Sequence, residues 1–293
     1  MAKLSSVQNI DESKYYSELP LPNEPALPDN RASQDNPPWG ALEAIGVWIA
    51  SVLFILIIPS ILLLPYLASL DVPITETDQI VEFAKTDPTS ILLQILAVIP
   101  AHVLTLLVAW LVITRVRKFS FRQMLGWEKG GFVWWHYCII LVGFVVVAGL
   151  VSSYFPEQEN DLSRILQSSR AAVFLVAFVA TFTAPLVEEV TYRGVLYSAF
   201  RRKFGIAPAF IFVTLLFSAV HWPQYWPSYS TIFLLTLLSL TLTAIRVKSS
   251  NLLPCIILHT LFNGMQSIML ILEPYLRSPE GQEQTAAILR SLR

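Results

Sequence analysis

The chain alternates between long stretches without charged residues and short polar segments. Seven uncharged stretches follow residue 43, at 44–70, 90–114, 137–155, 171–187, 206–220, 227–245 and 251–272. A helix needs roughly 20 apolar residues to cross the hydrocarbon core of a bilayer, and lipid cannot satisfy the backbone groups of an exposed strand. The pattern therefore predicts an all-α, polytopic membrane bundle of seven transmembrane helices, or eight if one stretch contains a break.

The composition supports a membrane protein. Of the 293 residues, 54% are hydrophobic and only 14% are charged, with a mean hydropathy of +0.57. An ordinary soluble domain has about a quarter charged residues, so this class is excluded. The net charge of −1 argues neither for nor against nucleic acid. We expect the lipid bilayer as the main partner and no nucleic acid.

Two polar segments flank the apolar part. Residues 1–38 are rich in proline, asparagine and acidic residues, a composition typical of a disordered tail. They lack the basic start and apolar stretch of a signal peptide. We expect a transmembrane domain at 39–272 and a polar tail at 273–293, with a short surface helix around "EQTAAILRSLR".

The charges of the connecting segments predict an orientation. Residues 115–134 contain five basic residues and one acidic residue, whereas residues 71–88 contain five acidic residues and one basic residue. Lysine and arginine favour the cytoplasmic side. The loop 115–134 and the basic clusters at 201–203 and 246–248 are therefore expected inside, with the N-terminus. The membrane would be the plasma or inner membrane in a bacterium.

Ionisable side chains inside three apolar stretches lie at similar depth. Glu189 lies 12 residues before Arg201, His221 lies 18 after Lys203, and His259 lies 13 after the basic residue at 246. With a rise of 1.5 Å per residue, each is very roughly 10–20 Å below the cytoplasmic face. Such residues usually face a protein interior or a watery cavity. We expect a site there, enclosed by the last four spans and open to the cytoplasm.

The spacing of two adjacent carboxylates suggests different roles. Glu189 and Arg193 are four residues apart, with the acid first, which favours an ion pair on one helix face. Glu188 points about 100° away and is free to act as a general base. Pro185 is expected to kink this helix, which would make room for water. In the alternative interpretation, both acids pair with Arg193 and only hold helices together.

Two further pairs share the four-residue spacing. His259 and Asn263 lie on one helix face, where an imidazole and an amide can donate two hydrogen bonds to one oxygen. Stabilisation of an oxyanion needs such donors. In the second pair, the ring of Phe217 can limit how the imidazole of His221 turns.

Other reactive side chains in the apolar stretches are interpreted as structural. His102 lies 13 residues before Arg115, at a depth like that of His259, but nothing near it repeats the pattern. Cys138 and Cys255 are expected to be buried as small hydrophobic residues.

The longest predicted helix and the turn after the next span complete the expected architecture. The fourth span should run from Ala171 to near Arg202. Residues 221–230, "HWPQYWPSYS", are expected to form a turn at the membrane interface, where tryptophan and tyrosine collect.

Three motifs together resemble a known family. The chain is similar to the CPBP family, the CAAX-protease and bacteriocin-processing (Abi) family of intramembrane endopeptidases. The similarity lies within residues 170–266 and in three motifs on apolar helices: Glu188-Glu189-x-x-x-Arg193, Phe217-x-x-x-His221 and His259-x-x-x-Asn263.

The resemblance implies an endopeptidase of the type II CAAX prenyl endopeptidase kind. In such a protein, Glu188 and His221 would bind and activate a water, and His259 and Asn263 would hold the oxyanion. The other two charged residues of the first motif would have a supporting role. The substrate would be a membrane-associated peptide; a prenyl-cysteine peptide, a bacterial leader peptide and an unprenylated membrane protein all fit.

A zinc-dependent mechanism is the alternative to metal-free, glutamate-dependent hydrolysis. Glu188, His221 and His259 could present two imidazoles and one carboxylate to zinc, leaving a position open for water. The sequence lacks His-Glu-x-x-His, the usual helix of zinc proteases. We expect no cofactor, and zinc is the alternative.

Two other functions compete with hydrolysis. A non-catalytic membrane protein could use the same polar cluster to bind a peptide or partner, as in bacteriocin immunity. A transporter could use Glu188 and the histidines as a proton relay. Transporters often show repeats between their halves, and this sequence shows none.

Overall fold

The computed structural model describes residues 32–70 and 77–277, and within these ranges the chain is helical apart from short connections. The helices, in chain order, are α1 (Ala41–Ser69), α2 (Thr77–Thr86), α3 (Pro88–Thr114), α4 (Phe121–Leu125), α5 (Trp134–Tyr154), α6 (Asp161–Ser168), α7 (Arg170–Phe204), α8 (Ile206–Tyr225), α9 (Tyr229–Ser249) and α10 (Leu253–Arg277).

Seven of the helices in the described ranges are long and apolar enough to cross a membrane: α1, α3, α5, α7, α8, α9 and α10. Large apolar side chains on their outer faces are exposed, including Val103, Val142, Leu150 and Leu215. A soluble monomer rarely exposes so much apolar surface. The protein is an integral, multi-pass membrane protein, and the predicted all-α polytopic bundle is confirmed.

The two ends of the bundle differ in charge. The basic end contains the segments 115–133, 201–205 and 246–252, where α3, α7 and α9 finish. The acidic end contains the segments 77–88 and 155–169 and the turn at 226–228. Because successive spans run in opposite directions, α8 and α10 begin at the basic end.

The chain before α1 is ordered from Ala32, although composition assigns residues 32–38 to the disordered tail. Arg115 donates to the carbonyl oxygen of Pro38, 2.9 Å from its Nε, and pairs with Glu43. The indole of Trp39 is fully buried, and its Nε1 donates to the carbonyl oxygen of Val195 at 3.0 Å. These contacts with the basic end explain the difference, and residues 1–31 lie outside the described residues.

A packed core fills the basic half of the bundle. Its fully buried members come from α1, α3, α4, α7, α8, the α9–α10 connection and the residue before α1, Trp39; among them are Val47, Ile113, Leu125, Leu196 and Leu252. Gly205 joins α7 to α8 with a φ of +86°, a conformation that glycine adopts without strain. This short connection fixes α8 directly beside α7.

Several local expectations were wrong. α8 continues into the predicted turn at 221–230 and ends at Tyr225. The connecting segments 71–88 and 115–134 contain the helices α2 and α4. Cys138 is exposed, because α5 packs through Tyr137 and Phe144 on another face, whereas Cys255 is buried as expected. α10 extends to Arg277, into the predicted polar tail, and the predicted surface helix near the C-terminus lies outside the described residues.

Candidate active site

Three spans bring a carboxylate close to two imidazoles. Glu188 on α7 lies 3.8 Å from His221 on α8, measured from Oε1 to Nε2. It also lies 3.8 Å from His259 on α10, measured from Oε2 to Nε2. These distances exceed those of direct hydrogen bonds, but one water can bridge each gap. The side chain of Glu188 is 22% exposed, so it is accessible from a cavity.

Both imidazoles are held by the ring nitrogen that faces away from Glu188. The Nδ1 of His221 lies 2.7 Å from the carbonyl oxygen of Phe217, and the Nδ1 of His259 lies 2.9 Å from Oε1 of Glu189. A carbonyl or carboxylate oxygen can only accept, so each Nδ1 carries the proton. In a neutral ring, Nε2 then directs a lone pair toward Glu188.

The second carboxylate of the motif is fully buried and paired. Oε1 of Glu189 accepts a hydrogen bond from Nη1 of Arg193 at 3.0 Å, in addition to the one from His259. Both members of the ion pair are 0% exposed. The four-residue spacing therefore produces the expected pair, and Glu188 remains available on the neighbouring face.

The guanidinium of Arg193 connects three spans. Its Nη2 donates to the hydroxyl of Ser239 at 2.7 Å and to the carbonyl oxygen of the same residue, and its Nε donates to Thr243 at 3.3 Å. The ring of Phe217 lies 4.5 Å from the guanidinium carbon, within the range of a cation–π contact. Since α7, α8 and α9 all contact this one side chain, it fixes the carboxylates relative to the imidazoles.

The backbone of α7 departs from α-helical geometry on both sides of the carboxylates. Two π-helical stretches, Val179–Thr183 and Val190–Leu196, flank the short α-helical segment Ala184–Glu189. π-helical turns in α-helices are frequent at functional sites. The change from π-helical to α-helical geometry therefore lies next to Pro185, where the sequence predicts a kink.

Asn263 replaces a hydrogen bond that Pro185 cannot make. In the first π-helical stretch, the N–H of Ala184 donates to the carbonyl oxygen of Val179. The next bond in this register would run from residue 185 to Ala180, but proline has no N–H. Nδ2 of Asn263 donates to the carbonyl oxygen of Ala180 at 2.8 Å. One N–H of the amide is used in this way, and the second is left for another acceptor.

A cavity of about 720 Å³ contains Glu188, both imidazoles and Asn263 in its wall. Helices outside the motif region complete the wall, with α1 and α3 on one side. Thr191, three residues after Glu188, also lines it, and its buried hydroxyl has no partner in the described part of the chain. The cavity therefore offers polar groups at the depth where the three motifs meet.

His102 lies in the same wall, although sequence reasoning assigned it no role. Its Nδ1 lies 2.9 Å from the hydroxyl of Thr183, which donates to the carbonyl oxygen of Val179. The hydroxyl therefore accepts from Nδ1, and the ring is fixed against the first π-helical stretch. The available signal was its distance of 13 residues from Arg115, the same count that pointed to His259.

The same donors have the chemistry of zinc ligands. A zinc-bound histidine usually donates its other ring N–H to a carboxylate or carbonyl oxygen, as both imidazoles do. Ligands of one zinc ion each lie about 2.0–2.2 Å from it. Among the residues that the structure describes, no group of three or more histidine, cysteine, aspartate or glutamate side chains is placed to hold a metal ion.

Comparison with known families identifies the segment that carries these motifs. Residues 170–265 match the family described as type II CAAX prenyl endopeptidase Rce1-like. This segment is similar to the Rce1-like family, and the match covers about a third of the chain. No curated protein and no solved structure matches the chain.

The match confirms the resemblance seen in the motifs. The Rce1-like segment runs from the start of α7 into α10 and includes all six charged and amide residues singled out in the sequence: Glu188, Glu189, Arg193, His221, His259 and Asn263. The structure brings these six together around one end of the cavity. α1 and α3, which close its other side, lie outside the matched residues.

Replacing Arg193 should destabilise the protein strongly. In Arg193→Met, Glu189 would stay buried without its guanidinium partner, and removing one member of a buried ion pair costs roughly 3–5 kcal/mol. Thermal unfolding in detergent should show a large decrease in the midpoint. Arg164→Met, which removes an exposed pair with Asp161, should leave the midpoint unchanged; equal effects of the two substitutions would contradict the framework role.

Restoring a backbone donor should compensate for the loss of Asn263. Asn263→Leu leaves the Ala180 carbonyl without its donor, which costs roughly 1–3 kcal/mol and should lower the unfolding midpoint. Pro185→Ala returns an N–H to the backbone, so the double variant should regain much of this stability. A double variant less stable than Asn263→Leu alone would show that Asn263 does not compensate for Pro185.

Proposed function

We propose that the protein is an intramembrane endopeptidase that hydrolyses a peptide bond of a membrane-associated substrate. The observation that carries this proposal is the position of Glu188, 3.8 Å from the Nε2 atoms of both His221 and His259. A carboxylate held near two such nitrogens, and exposed to a cavity, is suited to bind and deprotonate water. The Rce1-like match of residues 170–265 supports the same reaction class.

In the proposed reaction, Glu188 acts as general base. A water donates one hydrogen bond to the carboxylate and the other to Nε2 of His221. Glu188 takes a proton as the water oxygen attacks the carbonyl carbon of the substrate, which forms a tetrahedral oxyanion. When the C–N bond breaks, the same proton passes to the leaving amine. The reaction consumes one water and needs no other reactant.

The oxyanion would be stabilised by Asn263 and His259. The second N–H of the Asn263 amide is one donor. Nε2 of His259 can be the other only if the ring is an imidazolium, because its Nδ1–H already binds Glu189.

Asn263 would then have two separable roles. Its first N–H supports the Ala180 carbonyl, and its second would contact the oxyanion. Loss of one oxyanion donor typically reduces the rate by about 10²–10³-fold. The Pro185→Ala/Asn263→Leu variant, with its stability largely restored, should therefore still hydrolyse substrate slowly.

The substrate proposed for this site is a peptide segment of a membrane-associated protein. The volume of about 720 Å³ is within the usual range for binding sites, about 300–1,000 Å³. Both polar groups and apolar side chains such as Ile55, Val98 and Val176 line the cavity. A prenylated CAAX-type peptide and an unmodified apolar segment both have the required chemistry.

A non-catalytic binding protein is the second candidate. The connections of α7, α8, α9 and α10 through Arg193 and Glu189 would serve a structural cluster equally well. In that case, the cavity would hold a peptide or partner without cleaving it, and Glu188 would contribute only to binding.

Glu188→Gln distinguishes these candidates. The amide keeps the shape of the side chain but is a far weaker base, so hydrolysis should fall by roughly 10²-fold or more. Quantitative proteomics of new peptide termini in membranes containing either protein would measure the loss. Glu159→Gln, an exposed carboxylate that does not line the cavity, is the matched control and should retain activity. Cleavage by Glu188→Gln at the parental rate would exclude the enzymatic proposal.

Removal of zinc should leave the activity unchanged. The proposed reaction places no metal between Glu188 and the histidines, so purified protein treated exhaustively with a strong zinc chelator should cleave as before. Metal content and activity would be measured on the same sample. One zinc per chain, with activity lost on chelation and restored only by added zinc, would establish the zinc-dependent alternative.

A further inference from the structure

The cavity around Glu188 extends from the middle of the bundle toward the acidic end. α8 contributes residues 217–225 to its wall, α9 contributes residues from 230–238, and α10 contributes residues from 259–266. In each of these helices, the part of the wall farthest from Glu188 lies toward the acidic end. α1 contributes residues from 51–56 and α3 contributes residues from 95–105, which lie around the middle of each span.

Residues of the acidic end surround the outer part of this cavity. Ser152 at the end of α5, Glu157 in the next connection and Gln224 near the end of α8 line it, and all three are exposed. Leu162 and Ile165 of α6 complete the wall and are partly exposed. The cavity therefore communicates with the surface at the acidic end.

The opposite direction is filled with protein. Between the candidate site and the basic end lie the buried side chains of Arg193, Val195, Leu196 and Tyr197. Arg246 closes this region further, because its Nη1 donates to the carbonyl oxygens of Leu125 at 3.0 Å and Ser250 at 2.7 Å. The described residues thus pack densely on that side of the site.

The charges of the two ends predict which side of the membrane each one faces. Basic residues dominate one end: Arg115, Arg117, Lys118, Arg122, Lys129, Arg201, Arg202, Lys203, Arg246 and Lys248. Acidic residues dominate the described part of the other end: Asp78, Glu82, Asp87, Glu157, Glu159 and Asp161, against Lys85, Arg164 and Arg170. Since lysine and arginine favour the cytoplasmic side, the acidic end faces away from the cytoplasm.

We propose that peptides reach Glu188 from the non-cytoplasmic side of the membrane. The inference rests on the proposed endopeptidase function for its chemistry, but the direction of access follows from the cavity and the charges alone. It differs from the expectation that the site opens to the cytoplasm. The sequence gives the depth of the site residues below the basic loops. This depth does not depend on the end at which the cavity opens, so the sequence did not reveal the direction of access.

This direction specifies the substrate class. The substrates are polypeptides presented at the non-cytoplasmic surface, either exported chains or the non-cytoplasmic flanks of membrane-spanning segments. The apolar side chains of α1 and α3 in the wall, such as Ile55 and Ile95, suit a substrate that remains partly in the lipid.

Cysteine labelling tests the direction of access without a substrate. Single cysteines would be introduced at Gln224 and Glu157 in the cavity wall and at Lys118 at the basic end, after Cys138→Ser and Cys255→Ala. A membrane-impermeant maleimide would be applied to spheroplasts of a bacterial host and, separately, to inverted membrane vesicles. Gln224→Cys and Glu157→Cys should react in spheroplasts, and Lys118→Cys should react in inverted vesicles. The reverse pattern would overturn the proposal.

Two deeper positions test whether the opening leads to the site. Ala180→Cys and Thr191→Cys lie in the cavity wall near Glu188, and a small charged methanethiosulfonate should modify them at least 10-fold faster in spheroplasts than in inverted vesicles. Faster modification from the cytoplasmic side would contradict the proposal. Using both positions protects the test against one variant that fails to fold.

The outcome is independent of catalysis. The same labelling in a Glu188→Gln background should be unchanged, because it requires no hydrolysis. If Glu188→Gln cleaves normally, the endopeptidase proposal fails while the labelling result stands. If labelling is reversed but cleavage depends on Glu188, only the direction of access is wrong.

The positions of the cleavage sites give a second test of the direction. New termini that are lost in Glu188→Gln membranes should map to non-cytoplasmic segments of the substrates. Termini confined to cytoplasmic segments would also reject this direction.

Discussion

The buried contact of Glu189 with Arg193 and His259 is the interaction on which the rest of the site depends. A carboxylate in the interior of a membrane protein requires compensation, and Glu189 obtains it from a guanidinium and an imidazole N–H at once. The same contact orients His259 so that its Nε2 faces Glu188. The two adjacent acids therefore differ: Glu189 is buried between helices, and Glu188 is left exposed to the cavity.

Much of this site could be predicted from sequence because its causes are local or set by the bilayer. The thickness of the hydrocarbon core sets the minimum length of a transmembrane helix. Seven helices could therefore be predicted from the lengths of the uncharged stretches. The helical repeat places Glu189 and Arg193 on one face before any tertiary contact forms. The number of residues between each histidine and the nearest basic loop predicted that His221 and His259 lie at the level of the carboxylates. In the structure, each imidazole lies 3.8 Å from Glu188.

Other features have tertiary causes and could not be read from the chain. The carbonyl oxygen of Ala180 in the π-helical stretch at 179–183 accepts from the amide of Asn263, 83 residues further along the chain. His102 joins the site through Thr183 on another helix, so no motif near it could reveal this contact. Residues 32–38 have a disordered composition, yet backbone carbonyls are held there by arginines at the basic end.

The paired π-helical stretches of α7 also constrain the length of the chain. A π turn contains one residue more than an α turn, and one residue corresponds to about 100° of rotation around a helix axis. Each stretch therefore acts as a phase shift between the helix before it and the helix after it. Deleting a single residue from 179–183 would rotate residues 170–178 relative to Glu188 and move the wall they form. Positions there that accept substitution should still reject insertions and deletions.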